Sequence, residues 1–153
     1  MHITSQLRPT FAIGGVLLLI TGVFYPLAMT GIAQVAFPRQ ANGSLVAVGG
    51  TEVGSSLLGQ AFTGAKYFQG RPSAAGAGYD AAASSGSNLG PTSAKLIEST
   101  VDRAKAFRET NGLAADAPLP ADAVTASASG LDPHVSPATA LLQVTRVARA
   151  RGD

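Results

Sequence analysis

The sequence predicts an α+β protein: a single N-terminal transmembrane helix followed by one small extracytoplasmic α+β domain. Three observations lead there. No charged residue lies between Arg8 and Arg39. After Arg39, short apolar stretches alternate with turns rich in Gly, Pro and Ser. Toward the carboxyl end, two segments carry the helical period between recognisable caps.

The uncharged run covers residues 9–38. As a helix rising ~1.5 Å per residue it would reach roughly 45 Å, and the hydrocarbon core of a bilayer is only about 30 Å thick. Its centre, Ala12 to Phe24, holds nothing that lipid penalises heavily, since Thr21 can bond back to its own helix. Pro26, after Tyr25, removes a backbone donor and predicts a kink. Lipid-buried helices accept this when the freed carbonyl finds a partner. Two other readings fit the run less well. A cleaved signal peptide would use Val16 to Ile20 as its apolar core and Gly31 to Ala33 as its cleavage site, but the run outlasts such a core and begins with one Arg, not a basic cluster. A buried helix of a soluble protein rarely runs so long. The expected organisation is a cytoplasmic stretch over 1–10, a crossing helix over 11–37 and an external domain over 38–153. Orientation follows from Arg8, His2 and the α-amino group on the near side, against Arg39 and then no charge until Glu52 on the far side. Positive-inside counting places the amino terminus in the cytoplasm.

Only Arg8 among the 11 Lys/Arg and 9 Asp/Glu precedes Pro38, so the domain is nearly neutral. That argues against nucleic acid as a partner. Cysteine is absent, which forbids disulfides. With 18 Gly and no Trp, large side chains are scarce, and the domain is expected to lean on a neighbour for stability.

Along the domain, Asn42-Gly43 reads as a turn and Leu45 to Val48 as a short apolar strand. Asn42-Gly43-Ser44 spells a glycosylation sequon by chance. Leu57, Leu58, Phe62 and Phe68 are core candidates. From Gly70 to Pro91 the composition is that of a loop. Gly76 to Ala81 matches a dinucleotide-binding pattern by letter only, with no strand before it. A helix starts at Thr92 or Ser93 and ends at Asn111-Gly112. Ile97, Val101, Ala104 and Phe107 mark its inner face, with Glu98, Asp102, Lys105 and Arg108 outside. Residues 114–123, with Pro118 and Pro120, form a linker, and Val124 to Ser129 a short strand. Ser136-Pro137 opens a second helix running to about Arg151. Leu141, Val144 and Ala148 can face inward, and Arg146, Arg149 and Arg151 suit the negative end of the helix dipole.

The residues that carry chemistry are sparse. There is no Walker A loop and no nucleophile elbow. Two His and no Cys make a zinc site untenable. Asp132 and His134 with a nearby Ser could form part of a hydrolytic triad, but a turn capping the next helix accounts for them better. Arg151-Gly-Asp153 spells an adhesion tripeptide by accident.

Three stretches carry a family resemblance: Gly54 to Ala74, with Tyr67-Phe68-Gln-Gly-Arg71-Pro-Ser73; Ser85 to Ser93, with Asn88; and Val124 to Pro137, with Ser129-Gly-Leu-Asp132-Pro-His134, continued by Gln143 to Gly152. In order, together with the anchor, they resemble the C subunit of the bacterial high-affinity potassium-transporting P-type ATPase, the Kdp complex. The resemblance implies one membrane helix, a cytoplasmic amino terminus and a periplasmic domain. It implies a non-catalytic accessory subunit that stabilises assembly and raises the apparent ATP affinity of the pump. Its partners would be the channel-like potassium-binding subunit, the P-type ATP-hydrolysing subunit and membrane lipid. ATP and K+ would act through the complex, with no cofactor or metal held by this chain. The docking candidates are Tyr67, Phe68, Arg71, Asn88, Asp132, His134, Gln143 and Arg146. Tyr67 and Phe68 fit a core as well as they fit an interface. Family members continue past the arginine-rich helix into a further apolar, strand-like segment. The expectation is therefore a carboxyl-terminally shortened domain with an unpaired edge. A standalone membrane-anchored periplasmic scaffold or binding module is the alternative.

Overall fold

The computed structural model describes residues 3–153. The charges expected at His2 and the α-amino group lie outside the described residues. The chain divides into two compact units, one through Ser55 and one from Ser56 to Asp153.

The first unit is a helix and a hairpin. Helix α1 (Ile3–Leu19) passes through a π-helical turn (Ile20–Phe24) into α2 (Tyr25–Ala36). The π turn falls just before Pro26, whose ring would press on the carbonyl four residues earlier. Widening the turn relieves that contact. Its mark is the Tyr25 N–H donating to the Ile20 carbonyl, five residues back. Thr21 donates its hydroxyl to the Leu17 carbonyl at 2.8 Å, as its sequence context implied. The stretch Gln6–Ala36 is long and apolar enough to cross a membrane, and none of it is buried by protein.

A one-turn helix, α3 (Pro38–Ala41), leads into a hairpin of β1 (Leu45–Val48) and β2 (Thr51–Ser55). The strands are antiparallel, with Val48 opposite Thr51 and Leu45 opposite Ser55, and a bulge beside Val46/Ala47. The sequence showed β1 but not β2. Gly49 and Gly50 form the connection, both at positive φ (60° and 83°), the conformation a two-residue hairpin turn needs.

The second unit contains α4 (Ala94–Asn111), α5 (Ala121–Val124) and α6 (Pro137–Arg151), joined by long ordered loops and a 3-10 turn at Ala81–Ala83. Helix α4 ends where Gly112 takes φ 64°. Helix α6 starts at Ser136, whose hydroxyl accepts the Thr139 N–H, with Pro137 next in line. Both boundaries match the sequence reading. The strand expected over Val124 to Ser129 does not form. Pro120 and Ala121 start a helical turn instead, closed by Thr125 donating its hydroxyl to the Ala121 carbonyl at 2.7 Å. Among the described residues the hairpin supplies all the strand content.

The inner surface is small and half polar. Ala75, Ala123, Val124, Leu131 and Val147 are buried, and so are Asn111, Ser127, Thr139 and Gln143. Of the apolar faces expected to point inward, Ala104, Phe107 and Ala148 are half-buried, but the other members are not covered. Ile97 and Val101 on α4 are 58% and 61% exposed, and Leu141 and Val144 on α6 are 71% and 43% exposed. Leu57, Leu58, Phe62 and Phe68 are exposed as well. Helix α6 buries Thr139, Gln143 and Val147, one residue per turn along a different stripe.

Candidate functional site

Arg71 and Asp132, 61 positions apart, meet in an ion pair: Nη1 donates to Oδ2 at 3.1 Å. Two motifs meet with them. Ser73 donates its hydroxyl to the Gly130 carbonyl at 2.6 Å, and the Gly59 N–H donates to the Leu131 carbonyl at 2.8 Å. Gly130 sits at φ 69°, and a Cβ there would lie 2.6 Å from the Ala75 nitrogen. Only glycine fits both the backbone angle and the gap. Tyr79 completes the junction by donating its hydroxyl to the Arg71 carbonyl at 2.6 Å. Burial pushes the Tyr79 phenol up, the Asp132 charge adds to it, and Arg71 opposes both.

Asp132 also shapes the turn ahead of α6. Its Oδ1 accepts the His134 N–H at 3.0 Å and lies 3.1 Å from His134 Nδ1. The backbone N–H of His134 is the main cause holding the Asp132 carboxyl below the usual carboxylate range; partial burial works against it, and Arg71 and the His134 ring assist. His134 itself points to solvent, its side chain 87% exposed. Arg71 Nη2 reaches the carbonyls of Thr125 and Ala126 at 3.4 Å, while its buried Nε has no hydrogen-bond partner among the described residues.

A second junction fixes residues 65–69 against α6. Gln143 is fully buried. Its Oε1 accepts the Gln69 N–H at 2.8 Å, and its Nε2 donates to the Gln69 carbonyl at 3.1 Å. Arg146 donates to Asn111 Oδ1 (2.9 Å), Gln143 Oε1 (2.8 Å) and the Tyr67 carbonyl (3.1 Å), and also to the Ala65 carbonyl. Arg151 holds the Lys66 carbonyl at 2.9 Å. The segment so pinned carries Tyr67 and Phe68, 42% and 41% exposed. Tyr67 lies against the Phe62 ring (centroids 5.5 Å apart) and under the Lys66 ammonium (5.2 Å).

Six of the eight docking candidates are therefore drawn into these two junctions: Arg71, Asp132 and His134 in one, Tyr67, Gln143 and Arg146 in the other. Gln143 is enclosed, so whatever this face presents outward is presented by its neighbours. Phe68 and Asn88 stand exposed, Asn88 with a left-handed backbone at φ 50°. Sequence reasoning missed Asp122, which accepts the Ser136 N–H (2.7 Å) and the hydroxyls of Ser136 (3.0 Å) and Thr139 (2.9 Å). Partial burial would raise its pKa, but those three donors and its own backbone N–H together hold it below the ordinary value. The Ser136 cap signal located the helix start; nothing nearby marked an acid 14 positions earlier as its partner.

Among the described residues no three His, Cys, Asp or Glu side chains group as metal ligands. The polar side chains of these turns bond main-chain carbonyls, N–H groups and one another. The molecule is thus of a definite class: an apolar helix of membrane-crossing length joined to a small unit whose polar side chains act as internal staples.

Comparison with known proteins places it within that class. The family model described as "K+-transporting ATPase, c chain" matches residues 7–153. The potassium-transporting ATPase KdpC subunit of Myxococcus xanthus is 62% identical over 138 residues, covering 90% of this chain and 65% of the relative. The subunit of the same name from Mycobacterium tuberculosis is 55% identical over 146 residues, covering 95% of this chain and 77% of the relative. That of Caulobacter vibrioides is 56% identical over 150 residues, covering 97% and 74%. The chain belongs to the family of K+-transporting ATPase C chains.

Proposed function

We propose that this chain is the non-catalytic accessory subunit of an ATP-driven potassium uptake pump. Identity of 55–62% over most of the chain to subunits named for that ATPase carries the reading. The helix over Gln6–Ala36 supports a single-pass anchor in the bacterial plasma membrane. The amino terminus would be cytoplasmic and residues 38–153 periplasmic, by the charge count at Arg8 and Arg39. The partners would be the channel-like potassium-binding subunit and the ATP-hydrolysing subunit.

A periplasmic domain cannot touch cytoplasmic ATP. Any effect on ATP affinity is then a coupling free energy, in which the domain binds one conformation of the pump more tightly than the other. Tyr67 and Phe68 are the proposed anchors, because exposed aromatics on a pinned segment lose little entropy on docking. Arg71 serves the same surface by holding its turn. Arg71→Ala should lower the yield of assembled complex; an unchanged yield would remove Arg71 from the docking account.

The deciding experiment is mild-detergent purification of the tagged chain from potassium-starved cells, with mass spectrometry of what accompanies it. Recovery of the channel-like and ATP-hydrolysing subunits supports the accessory role. Recovery of the chain alone would favour a standalone anchored scaffold.

A further inference from the structure

The hairpin following the helix exposes its apolar residues: Leu45 is 49%, Val46 37% and Val48 67% exposed. Two strands alone are marginal in water. The hairpin's two faces differ. Successive residues of β1 alternate sides, so Val46 and Val48 share a face with their partners Gly54 and Thr51. Leu45 and Ala47 lie on the other face with their partners Ser55 and Glu52, and Glu52 is the one charged residue between Arg39 and Lys66. The Val46/Val48 face thus carries no charge, and the charge sits on the opposite one, beside Leu45 and Ala47.

The hairpin is also braced to the end of the apolar helix. Asn42 and Gln34 exchange side-chain amide hydrogen bonds, Asn42 Nδ2 donating to Gln34 Oε1 at 3.1 Å and Gln34 Nε2 donating back at 3.4 Å. Asn42 Nδ2 reaches the Pro38 carbonyl at 2.7 Å. The Ser44 N–H donates to the Arg39 carbonyl at 2.9 Å, and Ser55 donates its hydroxyl to the Gly43 carbonyl at 2.6 Å. Whatever depth the helix end takes, the hairpin takes with it.

We propose that the Val46/Val48 face of this hairpin rests on the lipid surface at the point where the helix leaves the bilayer, with Glu52 turned to water. The proposal rests on the membrane-crossing reading of the helix. Continuity with that helix and the lack of charge on the valine face favour lipid as occupant. An interfacial element of this kind buries one apolar side among headgroups and keeps its polar side wet.

The chain has no cysteine, so a single introduced thiol carries a fluorophore uniquely. The full chain would be placed in phosphatidylcholine/phosphatidylglycerol vesicles containing nitroxide lipids and labelled at Val48→Cys, Val46→Cys, Ala47→Cys or Leu18→Cys. The expected result is strong lipid quenching at 18, 46 and 48, severalfold above that at 47. Quenching at 18 but at neither 46 nor 48 would overturn the hairpin's seating while leaving the helix in the membrane. No quenching at 18 would overturn both. Quenching at 46 and 48 that disappears when the other pump subunits are present would assign the valine face to a protein partner and end the lipid proposal.

Discussion

Residues up to Ser55 and residues from Ser56 onward fold as separate units by different means. In the first, helical and hairpin backbone bonds satisfy the chain, and large apolar side chains such as Leu18, Phe24 and Leu27 remain exposed. That arrangement suits a segment whose solvent is lipid, where backbone groups must pair internally while side chains need not be covered. The second unit has few large side chains inside. Arg71, Ser73, Asp122, Gln143 and Arg146 hold its loops by reaching main-chain or side-chain partners far along the sequence. An Ala/Gly-rich chain with a thin apolar core gains its order by satisfying buried polar groups. Each such group is costly when its partner is lost.

The contrast can be tested hardest at Gly130. An alanine there would need a left-handed backbone and would set its Cβ 2.6 Å from the Ala75 nitrogen. Gly130→Ala should cost about 3 kcal/mol, read as an earlier urea midpoint for the full chain in detergent. Gly14→Ala, in the helix with nothing within 4 Å of the added methyl, should leave that midpoint unmoved. Equal effects would erase the distinction between the units. Next comes Gln143→Leu. The swap keeps bulk but strands the Gln69 N–H and carbonyl, at a cost of about 2 kcal/mol, seen as faster hydrogen exchange over residues 65–69.

Legibility from sequence follows the same division. The first unit's helix could be read because charge absence over 30 residues is a one-dimensional signal. The ends of α4 and α6 could be read because caps are local: Gly112, Ser136 and Pro137 act on their immediate neighbours. The inner face of α6 could not. Thr139, Gln143 and Val147 recur every four residues, but two of them are polar, so apolar periodicity chose Leu141 and Val144. Strand β2 was hidden because Gly54 and Glu52 interrupt its apolar alternation, although Gly49-Gly50 was a usable hairpin signal. Of the candidate site, residue types were legible and partnerships were not. The Arg71–Asp132 pair spans 61 positions, and no local pattern joins its two halves. The Gly/Ala/Ser stretch from Gly70 to Pro91 read as a loop. It is one, yet Ser73, Ser84 and Ser85 tie it to Ser129 and Gly130, which composition alone does not reveal.

Acid should act on the second unit and spare the first, which has no carboxylate before Glu52. Asp122 and Asp132 both have folded pKa values below the usual range. Groups depressed in this way contribute stability above their unfolded pKa, about 3.9, and that contribution is lost as pH falls through the folded value. The urea midpoint should therefore hold from neutral pH to about 5 and fall below about 4. Asp122→Asn with Asp132→Asn should lower the neutral plateau and flatten the acid limb. An acid limb unchanged in the double variant would mean that other carboxylates govern it.

The smallest effect on stability is expected at Tyr67 and Phe68, where the two units' logic meets. These side chains resemble those of the first unit in being apolar and exposed, yet they sit on a segment pinned in the manner of the second. If they were core residues, truncation would cost about 3 kcal/mol or more each. Their exposure of 42% and 41% puts the cost of Tyr67→Ala or Phe68→Ala well below that, at about 1 kcal/mol or less. Loss of the Phe62 ring contact accounts for most of it at Tyr67. Complex recovery should respond in the opposite proportion: an aromatic on a backbone segment held by Arg146 and Gln143 is partly preorganised, so removing it takes away contact while relieving little ordering cost. A variant that keeps its urea midpoint and loses its copurifying subunits would place the docking surface on residues 67–68. A variant that loses both together would show these rings belong to the fold, and one that loses neither would move the surface elsewhere.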